Sequence, residues 1–230
     1  MTALVLQARL DSSRLGKKSL LPLGGRPLIF RVMEALSLVS SEEKILACPE
    51  DDALSFAPLA EEAGFRLVPG PASDVLARYC IAIRRTGAER IIRATGDNPF
   101  VFTDAADALY GEASALGADY AGYSGLPYGA GVESVAAEAL LRAEREAQSA
   151  GEREHVCPYL YGHPELFRLH RPLAPCQWQG PDFNISVDTP EDYTRAGILY
   201  EGLLSLPRAD RNRGENVIAV YKRLFPEKGR

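Results

Sequence analysis

The feature that most narrows the folds open to this chain is a regular exchange of short apolar runs with longer amphipathic stretches. Leu4-Val5-Leu6, Lys44 to Cys48, Phe65 to Val68 and Arg90 to Ala94 each read as a short buried strand. Between the first two, Pro27 is expected at the first position of a helix, whose apolar face is Leu28, Val32, Leu36 and Val39. Before the fourth, Asp74 is placed to cap a helix carrying Leu76, Tyr79, Cys80 and Ile83, and Gly87 ends it. Strands and helices that alternate this way predict a three-layer α/β/α fold with a mostly parallel sheet covered on both faces. Farther on, Thr103 is expected to cap a helix reaching Leu116, Ala118 to Ala121 reads as a strand, and Ser134 to Ala150 as a helix rich in Ala, Glu, Leu and Arg. Leu166 to His170 and Phe183 to Val187 read as later strands. Thr189-Pro190-Glu191-Asp192 reads as a helix start, and Val217, Ile218, Tyr221 and Leu224 as a last helix. Four glycines and Pro127 make Gly122 to Gly131 the expected irregular loop. No repeat, low-complexity tract or linker divides residues 1–230, so the expectation is one domain.

Charge and cysteine usage narrow the partners. The net charge of -5 argues against a general nucleic-acid binder, although a nucleotide needs only local positive charge. Cys48, Cys80, Cys157 and Cys176 form no C-x-x-C pair, which removes zinc-ribbon and redox motifs and suits a reducing compartment. His155, Cys157 and His163 have no zinc-ligand spacing. The N-terminal apolar run is too short for a signal peptide, and no run approaches a membrane span. The expectation is therefore a cytoplasmic protein with no membrane or nucleic-acid partner.

Three segments carry chemistry. The stretch after the first strand, Gln7 to Leu20, holds Arg9, Arg14, Lys17 and Lys18 against one acid, Asp11. In open parallel sheets ligands bind beyond the C-terminal strand ends, where this stretch falls, and its small residues let backbone N–H groups approach phosphate oxygens. It matches neither the dinucleotide nor the Walker glycine pattern. The alternative is a solvated basic loop. Asp97, in Thr95-Gly96-Asp97-Asn98-Pro99, is placed to hold Mg²⁺ against phosphates, or else simply to make a turn. Asp188 also follows an apolar run. With Thr189 as the cap it is left to face the crevice, or else to serve the helix dipole.

Taken together these segments resemble the cytidylyltransferases that activate acidic sugars, the CMP-sialic acid and CMP-Kdo synthetase group, and within it the spore coat polysaccharide biosynthesis protein F branch. The resemblance rests on Ala8-Arg9, Ser12, Arg14-Leu15-Gly16-Lys17-Lys18, Leu20 and Gly25-Arg26-Pro27-Leu28, and on the Asp97 turn. It extends through Asp74-Val75-Leu76 with Arg78, Arg153-Glu154-His155-Val156-Cys157-Pro158-Tyr159 and Val187-Asp188-Thr189-Pro190-Glu191-Asp192. It runs from about residue 3 to about residue 200. The chain departs from it where Pro-Gly-Lys becomes Gly16-Lys17-Lys18, where the loop before Glu133 lacks an Asp, and where Asn184 stands at a usually basic position.

The resemblance implies a nucleotide-diphospho-sugar transferase (GT-A-like) fold and transfer of a nucleotidyl group from CTP, or another nucleoside triphosphate, to an acidic or phosphorylated sugar. Arg9 and Lys18 are the implied catalytic cations. Ala8, Ser12, Arg14, Asp74, Arg78 and Thr95 join them around the nucleotide. Asp97 and Asp188 are the implied Mg²⁺ ligands, and Tyr128, Glu133, His155 and Asn184 are the implied acceptor contacts. Residues about 122–165 become an acceptor, lid or dimer subregion, and relatedness leaves a homodimer open. Two alternatives stay open at this level: a glycosyltransferase of the same fold using a nucleotide sugar, and a non-catalytic nucleotide-binding assembly subunit.

Overall fold

The computed structural model describes residues 1–11 and 14–226. In chain order it runs β1 (Thr2–Gln7), a small hairpin of β2 (Pro22–Leu23) and β3 (Arg26–Pro27), α1 (Leu28–Leu36), β4 (Glu43–Pro49), α2 (Ala53–Ala63), β5 (Arg66–Gly70), α3 (Val75–Thr86), β6 (Arg90–Thr95) and α4 (Thr103–Leu116). There follow β7 (Tyr120–Ala121), β8 (Glu133–Ala136), α5 (Ala137–Glu146), α6 (Ala150–His155), α7 (Pro158–Gly162), β9 (Leu169–His170), α8 (Pro190–Leu203) and α9 (Gly214–Leu224). The main sheet has the order β5-β4-β1-β6-β8-β7-β9. It is parallel from β5 to β6. β8 is antiparallel to both its neighbours, and β9 pairs parallel with β7.

Alternation along the strands builds the two sides of the core. Ala3, Val5, Ile45, Ala47 and Ile91 face the layer of α3, α5, α6 and α7. Leu4, Leu6, Leu46, Cys48, Ile92 and Ala94 face the layer of α1, α2 and α4. A third apolar cluster, with Phe100, Phe102, Trp178 and Ile185, packs α8 and α9 beside that second layer. No helix among the described residues is long and apolar enough to cross a membrane.

The structure corrects several local expectations. Ser134 to Ala150 is not one helix. Ser134, Val135 and Ala136 belong to strand β8, wedged between β6 and β7, with Ser134 opposite Ile92 and Val135 opposite Tyr120. Two ladders and full burial of Val135 outweigh the helix preference of the flanking alanines. The helix starts only at Ala137, stops at Glu146, and resumes as α6 under a Ser149–Glu152 capping box. Phe183 to Val187 forms no strand of the sheet. Asn184 makes a single bridge to Tyr128, and its side chain accepts from the Ser186 N–H at 3.0 Å, a local bond that competes with a ladder. Leu166 to His170 pairs only at Leu169–His170. Pro27 is the residue before α1 rather than its first, with extended backbone. Thr103 is the first residue of α4, not its cap, and its hydroxyl reaches the Asn212 carbonyl at 3.3 Å. Helix α2 was not expected: it contains Pro58 and buries only Phe56 and Ala60, so its apolar stripe is faint in the sequence.

Candidate functional site

β1 and β6 end level, Gln7 opposite Thr95, so the segments that follow leave the sheet side by side. The Gly96 N–H donates to the Gln7 carbonyl at 2.8 Å. A Cβ on Gly96 would stand 2.9 Å from Ile29 Cδ1 and 3.0 Å from Ala8 Cβ, so only glycine permits this approach. The basic loop that leaves β1 is fastened at both ends. The Leu10 N–H donates to Asp52 Oδ2 at 2.8 Å, and the Ser19 hydroxyl donates to the Arg9 carbonyl at 2.9 Å. Lys17 turns the chain with a left-handed backbone (φ 49°) and remains exposed.

That turn delivers Lys18 inward. Its ammonium lies 3.0 Å from Asp188 Oδ1 and 3.3 Å from Asp97 Oδ2. Asp97 sits in a turn held by an Asn98-to-Thr95 side-chain bond of 2.7 Å. The Val187 N–H donates to the Asp97 carbonyl at 2.9 Å, which ties the two acidic segments together. Thr189 and Asp192 form a reciprocal cap on α8, and Asp192 accepts from the N–H groups of both Asp188 and Thr189. Asp192 therefore serves the helix dipole, and the Asp188 carboxylate is left to Lys18, the Ser186 hydroxyl (3.1 Å) and Arg14 (3.8 Å). No group of three candidate metal ligands occurs among the described residues. Two carboxylates within reach of one ammonium are nevertheless the hard-oxygen donor set that suits Mg²⁺, which draws its remaining ligands from phosphates and water.

These groups line one side of a cleft of about 690 Å³. On the same face of β6 as Thr95, but two residues earlier, Arg93 pairs with Glu133 of β8. Glu133 also accepts from the Tyr120 hydroxyl at 2.7 Å and from the Cys157 thiol at 3.5 Å. Burial disfavours a charge on Arg93, but the adjoining Glu133 carboxylate more than reverses this and holds its pKa above the ordinary arginine value. Burial, reinforced by Glu133, raises the Tyr120 phenol well above its ordinary value and keeps it a donor. Arg171 enters the cleft with its guanidinium 5.7 Å from the Tyr161 ring centre.

Of the residues singled out in the sequence, Ala8, Arg9, Arg14, Lys18, Arg78, Thr95, Asp97 and Asp188 line the cleft, as do Tyr128, Glu133 and His155. Arg9 reaches Glu154 at 3.6 Å. Arg78 is almost wholly buried and donates to the carbonyls of Pro71 (2.7 Å) and Ala72 (3.1 Å), and burial lowers its pKa. Two residues are not brought to the cleft wall. Asp74 caps α3 and is gripped by Arg153 at 2.6 Å, while Asn184 donates to Asp192 at 3.2 Å. Ser12 lies outside the described residues. Sequence reading passed over Gln7, Arg93, Tyr120 and Arg171 in the cleft, and the loop fasteners Asp52 and Ser19. One signal was available: Arg93 interrupts an apolar strand next to a strand end, where a buried charge needs a partner.

Comparison with known proteins gives one family. The model of the family described as Cytidylyltransferase matches residues 3–207. The chain is 32% identical to spore coat polysaccharide biosynthesis protein SpsF of Bacillus subtilis (strain 168) over 205 residues, covering 86% of this chain and 85% of that one. Among solved structures it resembles a cytidylyltransferase from Leptospira borgpetersenii serovar Hardjo-bovis (TM-score 0.86, 21% identity, 100% of this chain and 98% of that one). It also resembles CMP:2-keto-3-deoxy-manno-octonic acid synthetase complexed with CTP (TM-score 0.69, 17% identity, 88% and 99%). Rv0371c of Mycobacterium tuberculosis, solved as a complex with manganese, shares the fold (TM-score 0.59, 17% identity, 84% and 96%).

Proposed function

The chain belongs to the cytidylyltransferase family, and from that premise we propose that it transfers CMP from CTP to an acidic or phosphorylated sugar, releasing pyrophosphate, for surface polysaccharide or glycoconjugate synthesis. The observation that carries this reading is the convergence of Lys18, Asp97 and Asp188 beneath a fastened basic loop at the ends of β1 and β6. An acceptor oxygen forms a bond to the α-phosphorus as the bond to pyrophosphate breaks. The protein's part is positioning and neutralisation of charge. Arg9, Arg14 and Lys18 supply positive charge to the triphosphate. Asp97 and Asp188 would hold Mg²⁺, whose bound charge offsets that of the phosphates.

Thr95 and Arg78 form the nucleoside side, Arg78 by fixing the carbonyls of Pro71 and Ala72, and Asp74 acts there through its cap on α3. Ser12 belongs to the same loop by sequence. Tyr128, Glu133 and His155, all from the subregion of residues about 122–165, face the acceptor. Arg9, Arg14, Lys18 and Arg93 each have a carboxylate partner, and Arg78 is buried and taken up by the Pro71 and Ala72 carbonyls, whereas Arg171 has no carboxylate partner among the described residues. That leaves Arg171 as the cleft cation best able to meet an anionic acceptor. A CTP-consuming reaction of this kind belongs in the cytoplasm.

The test is pyrophosphate release measured with CTP, UTP, ATP and GTP against a panel of acidic and phosphorylated sugars. CTP with one sugar acid or sugar phosphate should give the highest turnover. A clear preference for UTP or GTP would reject the base assignment, and silence on every sugar would reject the acceptor class.

A further inference from the structure

The Arg93–Glu133–Tyr120 cluster has no part in the phosphate chemistry. Arg93 lies two residues before Thr95 on β6, roughly 7 Å back along the strand from its end. A carboxylate offers about four acceptor positions. On Glu133, Oε1 takes the Tyr120 hydroxyl, and Oε2 takes both the Arg93 guanidinium and the Cys157 thiol. One position on Oε1 therefore remains, and the side chain, 21% exposed, opens into the cleft.

The charge around that position decides what can fill it. An anion would be repelled by the carboxylate. An ammonium group would find the carboxylate already neutralised by Arg93. A neutral hydroxyl meets neither penalty and satisfies the remaining acceptor position. We propose that this cluster is a hydroxyl-reading subsite: Glu133 accepts a hydrogen bond from one neutral hydroxyl of the sugar, and Arg93 and Tyr120 are positioning residues that fix the carboxylate for it. The inference rests on the sugar-acceptor reading above and adds that the protein reads one neutral hydroxyl of the acceptor besides its anionic group.

The experiment is steady-state kinetics of Glu133→Gln and Tyr120→Phe, with the panel sugar that the wild type uses fastest and with its mono-deoxy analogues. Glu133→Gln should raise the KM for the sugar about ten- to a hundredfold and leave the KM for CTP within about twofold, because only the acceptor loses a partner. Tyr120→Phe keeps the ring and the Arg93 pair and should raise the same KM by about three- to tenfold. For the one analogue that lacks the recognised hydroxyl, the wild type and Tyr120→Phe should be equal. Thermal unfolding checks that each variant folds, and if Glu133→Gln does not fold, Tyr120→Phe decides alone. A wild type active on a sugar whose KM is unmoved by these changes, or a rise shared equally with CTP, overturns the inference and spares the function. A wild type inactive on every sugar removes both.

Discussion

Lys18 governs how the cleft handles charge, because its ammonium is the only contact seen to join Asp97 to Asp188 through side chains among the described residues. Lys18→Ala removes one charge-assisted contact to the triphosphate. CTP affinity should fall about ten- to a hundredfold, or roughly 1.5–3 kcal/mol, as measured by calorimetry. Unchanged affinity would remove Lys18 from the triphosphate site. Asp97→Asn and Asp188→Asn each keep the shape and remove a charge. Each should abolish most turnover and raise the Mg²⁺ needed for half-maximal rate, and the double variant should be little worse than either alone, since the two act as one unit. Near-normal activity of Asp97→Asn at ordinary Mg²⁺ would refute a metal role. The fastener Asp52 sits apart from the reacting atoms, so its loss should appear differently. Asp52→Ala frees the Leu10 N–H, and the KM for CTP should rise about five- to tenfold with kcat changed less. An equal fall in kcat would mean that Asp52 supports the fold more broadly than the loop.

Elements reach the site by close backbone approaches, and Gly129 is the most constrained of these. Its φ of 93° is left-handed, and a Cβ there would stand 2.6 Å from the Ser186 nitrogen, two residues before Asp188. Gly129→Ala should cost about 1–3 kcal/mol in stability by denaturant titration, and should lower turnover even where the protein is folded, because Ser186 must move and carries Asp188 with it. A variant as active as the wild type would show that the Asp188 segment is not held from this side. The same scale explains what the sequence disclosed. β1, β4, β6 and α3 were legible because their apolar period and caps are local, and Asp97 and Asp188 were legible because each closes an apolar run. Ser134–Val135 was misread because its strand character comes from β6 and β7, more than a dozen residues away in the chain, while its own neighbours favour helix. The meeting of Asp97 with Asp188 was expected from two strand ends lying on one edge of a parallel sheet. It arises instead from the Val187-to-Asp97 backbone bond and from Lys18. Glu133 was named from the resemblance alone, and its partners Arg93, Tyr120 and Cys157 stayed hidden because they come from β6, β7 and the turn before α7, which no local spacing connects.

At the scale of the whole molecule, both faces of the sheet bury groups that must stay protonated, and this fixes how stability responds to alkali. Cys48 lies in the core beside α1 and α2, and Cys80 with Tyr79 in the core beside α3 and α5. Burial, reinforced by Asp52, pushes the Cys48 thiol from 9.0 up to about 11, and burial, reinforced by Glu144, pushes Cys80 from 9.0 up to about 12. Burial also raises the Tyr79 phenol, which donates to the carbonyls of Val5 (3.3 Å) and Ala94 (3.2 Å) and so links α3 to β1 and β6. For each group the folded pKa exceeds the unfolded one. The folded state therefore binds more protons once the unfolded thiols begin to ionise near pH 9. The stability these groups contribute is whole below that pH and is lost as pH rises through the folded values of about 11 and 12. Thermal unfolding should thus give a Tm that is flat from pH 8 to about 9 and then falls steadily to pH 11. Replacing Cys80 by Ala, which keeps the site apolar and cannot ionise, should lower the Tm at pH 8 through lost packing but make its decline above pH 9 shallower than in the wild type. The slope rather than the starting value is the diagnostic, because a packing loss shifts the whole curve and only a titrating group changes its steepness. Parallel wild-type and variant curves across that interval would show that the buried Cys80 thiol does not set the alkaline limit.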